Sequence, residues 1–213
     1  MKNFFKQISK VAFDVLAEEA AKESADYIRP YIKEAIITDT GWWNVALEKI
    51  EIDGLHLEFG VYRGESIDYF SNKKPNTLWY GFDSFEGFQE DWQGGFYGKK
   101  TYSLNGQKPV VNKNVKLIKG YFKDTLPKFL KNKKQDIAFL HIDCDTYQST
   151  KEVLDIIGPK KLVSNTRILF DEYTSYIGWK ENEFKAWKEF VQKHNVNYKY
   201  EMFGDRQALI KIT

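Results

Sequence analysis

The sequence predicts an α/β protein. The expected architecture is one doubly wound sheet of seven strands, mostly parallel, ending in an antiparallel C-terminal hairpin strand and preceded by N-terminal helices. Two observations predict it. From residue 55, short apolar runs alternate with helical stretches, the pattern of strands joined by crossover helices. Near the C-terminus the rhythm changes: "NYKYEMF" and "QALIKIT" are separated by "GD" at 204–205, a hairpin signal.

The apolar runs are "LHLEF" at 55–59, "LWYGFD" at 78–83, "VKLIKG" at 115–120, "IAFLHID" at 137–143 and "RILFDEY" at 167–173. Helical stretches "GESIDYFSNK", "FKDTLPKFLKN" and "TYQSTKEVLDIIG" lie between them, and "ENEFKAWKEFVQKH" precedes the hairpin. Residues 84 to 114 have no regular pattern, and "EDWQGGFYGKK" sits at their centre. A loop of that length inside a domain is usually functional or mobile. Gly94, Gly95 and Gly98 suit it to closing over a site.

Upstream, residues 4 to 37 read as helix. Phe4, Ile8, Val11 and Val15, then Ile28, Ile32 and Ile36, recur at threes and fours, and Pro30 is expected to break or kink the pattern. "TDTGWWNVALEKI" reads as a second helical piece with Asp39 or Thr40 at its N-cap. Residues 1–50 thus form a helical segment, and 51–213 the sheet domain. The segment has three readings: a cover for the core, a lid over a site, or a contact in a homodimer.

At 213 residues the chain suits one domain with a sizeable core, and 42% hydrophobic against 29% charged residues is an ordinary globular balance. The aromatic share of 16% exceeds what a core needs, so rings near a pocket are expected. A net charge of +2, with lysines scattered along the chain, argues against a nucleic-acid partner. No run approaches the roughly eighteen apolar residues of a membrane span. The N-terminal apolar runs are interrupted by charges, unlike a signal peptide. A single cysteine, Cys144, rules out an internal disulfide framework. The expected location is the cytoplasm.

The stretch "LHLEFGVYRGES" has the form of a strand, a glycine turn and a helix start. In a doubly wound sheet this is where the first strand delivers a ligand to a helix N-terminus. The dinucleotide fingerprint would need glycine at 62 and 65, where Tyr62 and Glu65 stand, and the phosphate-loop spacing fails too. What remains is Glu58, Gly60 and Gly64, with Tyr62, Arg63 and Ser66 around them, as a candidate cofactor-binding turn. Asp83 ends the second strand, placed to accept both hydroxyls of a ribose. A helix N-cap is its alternative role, and the neighbouring Ser84 would serve there equally. Gly120, with Tyr121 or Phe122, lies where an adenine would be sandwiched; for Phe122, core packing is the competing reading.

"HIDCDTY" ends strand four and "FDEY" ends strand five. Neighbouring strand ends converge on one crevice, so Asp143, Asp145, Asp171 and Glu172 would repel one another unless compensated. A divalent cation is the usual compensation, and an all-oxygen set suits Mg²⁺ or another hard cation. Cys144 is expected to point away as a small buried hydrophobe.

The succession "EFGVYRGES", "YGFDSFEGF", "KGYFKDTL", "HIDCDTYQST" and "ILFDEY" resembles the macrocin O-methyltransferase family, across roughly residues 52 to 212. That resemblance implies a Rossmann-like fold and S-adenosylmethionine as cofactor. It also implies Mg²⁺-dependent methylation of a hydroxyl on a small molecule, often a sugar. It sets Glu58, Gly60 and Gly64 beside the methionine and ribose portions of the cofactor, and Asp83 on the ribose. It makes Asp143, Asp171 and Glu172 the metal ligands and Asp145 the general base. The family usually carries two aspartates where this chain has Asp171 and Glu172. His141 is an alternative base, a group that orients a carboxylate, or a core residue. Two rival readings are a nicotinamide-dependent sugar oxidoreductase or epimerase, for which Tyr147 and Lys151 have the right spacing, and a nucleotide-binding module without catalysis.

Overall fold

The computed structural model describes residues 10–92 and 97–213. Phe4 and Ile8 of the expected first helix, and Gly94 and Gly95 of the long loop, lie outside the described residues. Helix α1 spans Lys10–Ile28 and ends where Pro30 enters a single 3-10 turn, Arg29–Tyr31. It therefore does not reach residue 37. A two-residue strand, β1 (Ile36–Ile37), occupies that tail instead. The apolar periodicity did not mark the buried face: Val11 is 72% and Ile32 56% exposed, whereas Ala20 and Ser24 are buried. Helix α2 (Trp42–Glu48) starts from Gly41 at φ 71 with no side-chain cap, so neither Asp39 nor Thr40 caps it.

The predicted runs then appear in order. They form β2 (Leu55–Phe59), α3 (Glu65–Lys73), β3 (Trp79–Asp83), β4 (Val115–Lys119), α4 (Phe122–Lys131) and β5 (Ile137–Ile142), followed by α5 (Tyr147–Ile157), β6 (Arg167–Phe170), α6 (Glu183–His194), β7 (Tyr198–Phe203) and β8 (Ala208–Ile212). Among the described residues, 84–114 contain no helix or strand.

Among the described residues the sheet has eight strands, not seven, in the order β1-β7-β8-β6-β5-β2-β3-β4. The extra strand is β1, which pairs parallel with β7 through Ile36↔Met202 and Ile37↔Phe203. Two exposed residues at a sheet edge leave no alternation to read. β8 lies antiparallel between β6 and β7, as the hairpin signal predicted.

Successive strand side chains face opposite sides, and the core divides accordingly. Ile168 and Phe170 of β6, with Ala208, Ile210 and Ile212 of β8, join Leu126 of α4, Leu154 of α5 and Trp187 of α6 on one face. Leu169 and Leu209 from the same strands join Leu47 of α2 and Ile67 and Phe70 of α3 on the other. Each such side chain contributes about 1.5–3 kcal/mol on burial, so both helical layers are tied to the strands whose ends form the site.

Candidate functional site

The reversal of strand order falls between β2 and β5, and there the carboxyl ends of β3, β2, β5 and β6 lie side by side. Backbone hydrogen bonds continue past the strand ends and fix this rim. Gly60 N–H donates to Phe82 O (3.0 Å), Gly120 N–H to Asp83 O (2.9 Å), Asp143 N–H to Phe59 O (2.9 Å) and Asp171 N–H to Ile142 O (3.0 Å). Four candidate residues are thus set by ladder geometry.

Gly60 is required for a reason the spacing did not reveal. Its φ is +89, and a Cβ there would lie 1.7 Å from Asp143 O. The close neighbour is the backbone bearing a candidate ligand. The turn then wraps around Asp83: Val61 and Tyr62 N–H donate to Oδ2 (2.9 and 2.8 Å), and Phe85 N–H donates to Oδ1 (2.6 Å). Tyr62 has φ 47, uncommon for a residue other than glycine. Arg63 is exposed, its guanidinium 5.0 Å from the Tyr62 ring centroid. Gly64 opens α3 at φ 88, and Ser66 is buried in its first turn. Ser84 accepts from Glu86 N–H (3.1 Å).

The acids converge. Asp143, Asp171 and Glu172 each offer a carboxylate oxygen, all within 4.8 Å of one another. Asp171 Oδ1 and Glu172 Oε2 are buried and have no hydrogen-bond partner among the described residues. Oxygens that close, two of them unpartnered, fit a hard divalent cation. Burial first, then mutual repulsion, raises the Asp143 and Glu172 pKa values well above the usual carboxylate range. Asp145 is pushed up to about 7 by burial and by Asp171, with Arg206 opposing.

Beneath them, Glu58 and His141 are directly opposite on β2 and β5. Both are fully buried, with His141 Nδ1 2.9 Å from Glu58 Oε2 and Nε2 3.6 Å from Asp171 Oδ1. The second distance is a charge contact rather than a hydrogen bond. Burial lowers the His141 pKa, but the two carboxylates outweigh it and push it up to about 9. A buried imidazole clamped between two acidic side chains has the geometry of an orienting group, not of a free base. Burial raises Glu58 despite His141.

A cavity of about 280 Å³ joins the two halves of the site. Gly60, Tyr62, Asp83, Ser84, Gly120, Tyr121 and Phe122 line it on one side, and Asp143, Asp145, Asp171 and Glu172 on the other. Glu58, Arg63, Gly64, Ser66 and His141 do not line it. Phe122 lines the cavity and also packs edge-on against Phe59 at 5.5 Å. Cys144 is buried, its Sγ 3.5 Å from the Thr150 hydroxyl. Tyr147 and Lys151 are engaged elsewhere, with Glu189 (2.6 Å) and Asp155 (3.0 Å), and do not line the cavity.

Described residues between 84 and 114 border this space. Phe88, Gln89 and Tyr102 line the cavity, and Glu90 Oε1 accepts from Gln148 N–H (2.9 Å) in the first turn of α5. Tyr102 faces the acids; burial and the charges of Asp145 and Glu172 push its hydroxyl up to about 12. Three residues escaped the sequence reading: Tyr102, Arg206 and Glu183. Glu183 is fully buried at the start of α6 and accepts from Asp145 N–H (3.2 Å) and Glu172 N–H (3.1 Å). In sequence it looks like an ordinary acid in a first helical turn. Its partners are backbone groups far along the chain, so no local signal marks it.

Fold and site together define a Rossmann-like protein whose crevice pairs a glycine turn with a carboxylate cluster. The model of the macrocin-O-methyltransferase (TylF) family matches residues 100–206, and the chain belongs to that family. A demethyldecarbamoylnovobiocin O-methyltransferase from Streptomyces niveus is 26% identical over 145 residues, 57% of this chain and 53% of that protein. The match thus spans about half the length of this curated relative. Among solved structures, apo CalS11, a TDP-rhamnose 3'-O-methyltransferase of calicheamicin biosynthesis, superposes with a TM-score of 0.58 at 22% identity. That superposition covers 80% of this chain and 77% of the other, and it supports the fold.

Proposed function

We propose that this protein transfers the methyl group of S-adenosylmethionine to a hydroxyl of a small molecule, with a sugar as the acceptor, in the presence of Mg²⁺ or another hard divalent cation. The observation that carries the reading is the cavity joining the glycine turn and Asp83 to the carboxylates of Asp143, Asp171 and Glu172. Family membership supports the methyl chemistry, and the name of the Streptomyces relative supports oxygen as the acceptor. The sugar rests on the family resemblance alone.

In this reading Asp83 and the Gly60 turn hold the ribose, and Gly120, Tyr121 and Phe122 flank the adenine. The acidic, ring-lined cavity suits a sulfonium. Asp143, Asp171 and Glu172 would hold the cation, which when bound neutralises their charge and lowers the pKa of a nearby hydroxyl. Asp145, on the cavity wall beside the proposed cation ligands, takes the hydroxyl proton. His141 orients Asp171 and, with Glu58, stiffens the floor of the site. Tyr102 and Phe88 wall the acceptor side, where alignment of the attacking oxygen decides the rate. Residues 10–50 act as a cover: Ser175 N–H donates to the buried Ser24 hydroxyl of α1 (2.8 Å), and Tyr27 packs edge-on to Phe184 at 5.0 Å.

Titration calorimetry with S-adenosylmethionine and with NAD, each with and without Mg²⁺, tests the reading. Binding of S-adenosylmethionine and not NAD is expected. Binding of NAD alone would favour the oxidoreductase, which the engagement of Tyr147 and Lys151 outside the cavity already disfavours.

A further inference from the structure

Asp145 sits at the centre of a three-residue turn closed by Thr146 N–H donating to Cys144 O (2.6 Å), with φ 60 at Asp145. A γ-turn with positive φ at its central residue is rare and strained, and persists only where surroundings hold it. Closing that turn leaves the Asp145 N–H directed away from the strand ladder. The group that receives it is Glu183 Oε1, at 3.2 Å.

The other oxygen of the same carboxylate, Oε2, accepts from Glu172 N–H at 3.1 Å. One buried side chain on α6 therefore bridges the turn after β5 and the turn after β6. It uses one oxygen for each. Both donors are backbone groups, so the bridge fixes main chain and leaves the side chains of Asp145 and Glu172 free for the cavity. Glu183 does not line the cavity itself. A further buried acid so near the four that line the cavity adds repulsion, so it is poorly explained as mere packing.

We propose that Glu183 is a positioning residue, whose carboxylate holds the strained Asp145 turn and the Glu172 turn at a fixed separation. Base and cation ligands then keep their relative geometry. The assignment of those two roles rests on the function proposed above; the bridge itself does not. Replacing Glu183 by glutamine keeps the size and removes one acceptor, leaving an NH₂ group facing a backbone N–H. It also relieves repulsion, so the variant is expected to fold. Glu183→Asp keeps the carboxyl group but withdraws it by one methylene.

The test compares both variants with the parent by amide hydrogen exchange, Mn²⁺ binding followed by electron paramagnetic resonance, and calorimetry with S-adenosylhomocysteine. Exchange at Asp145 and Glu172 is expected to quicken by about tenfold or more, while Leu57 and Leu140 in β2 and β5 are unchanged. Mn²⁺ affinity is expected to fall by about tenfold, the usual effect of losing a group that orients ligands. S-adenosylhomocysteine affinity stays within about twofold, and turnover falls with the KM for S-adenosylmethionine unchanged. Continued protection of both amides in the variants, with parental Mn²⁺ affinity, would overturn the proposal. If the parent binds neither Mn²⁺ nor S-adenosylhomocysteine, the methyl-transfer reading fails, and amide exchange still decides the bridge. If Glu183→Gln does not fold, Glu183→Asp decides it.

Discussion

Two glycines with similar backbone conformations separate strain from steric exclusion. Gly41 has φ +71 and open space within 4 Å of where a Cβ would stand, whereas Gly60 has φ +89 with Asp143 O at 1.7 Å. Gly41→Ala should cost about 1 kcal/mol, the penalty of left-handed backbone alone. Gly60→Ala must also move the β5 turn, and should cost about 3 kcal/mol or more in thermal unfolding. Equal costs would mean that the close approach to Asp143 relaxes freely. Asp83 carries a second prediction. Asp83→Ala removes the acceptor for three backbone N–H groups as well as the proposed ribose contact. S-adenosylmethionine affinity by calorimetry should fall about tenfold or more, and unchanged affinity would refute the ribose assignment.

Among the elements, Tyr200 of β7 joins three parts of the fold. Its hydroxyl lies 2.6 Å from that of Tyr27 on α1 and 2.7 Å from that of Tyr173, just after the β6 turn. Tyr200→Phe leaves buried hydroxyls without their shared partner and should cost about 1–3 kcal/mol in denaturant unfolding. A loss within error would show that the shared hydroxyl contributes nothing to holding α1. The elements differ in how far they were legible. β2, β3, β5 and β6 announced themselves through apolar runs, because strands buried on both faces are mostly apolar, while the partly exposed β4 and β7 gave a more mixed signal. β1 did not, since Ile36 and Ile37 are exposed at an edge. In α1, Ala20 and Ser24 are buried and Tyr27 and Ile28 pack on the core, whereas Val11 and Val15 are exposed, so the apolar residues of its first half pointed to the wrong side. The acids at the tips of β5 and β6 were legible because strand ends are fixed in sequence. Glu183 was not, because its role depends on two turns brought to it by the fold.

For the molecule as a whole, acid stability has a readable contributor away from the site. His56 on β2 is 6% exposed, with Nδ1 3.1 Å from Gly54 O. Burial pulls its pKa down from 6.5 to about 4, with Lys74 adding to the effect. The unfolded chain takes up this proton below pH 6.5, while the folded chain refuses it until about 4. The contribution is therefore complete above pH 6.5 and is lost as pH falls toward 4, a change of ~3 kcal/mol. Urea unfolding at about pH 7 and about pH 4.5 should show a smaller loss for His56→Gln than for the parent; equal losses would contradict it. No helix among the described residues is long and apolar enough to cross a membrane. The proposed activity stands or falls with the cavity in which a glycine turn meets three carboxylates. The decisive measurement is a crystal structure with S-adenosylhomocysteine and Mn²⁺, read by anomalous scattering at the manganese edge. One manganese peak is expected among Asp143, Asp171 and Glu172, with the nucleoside between Asp83 and Gly120. A cofactor bound elsewhere, or no manganese peak at those carboxylates, would contradict it.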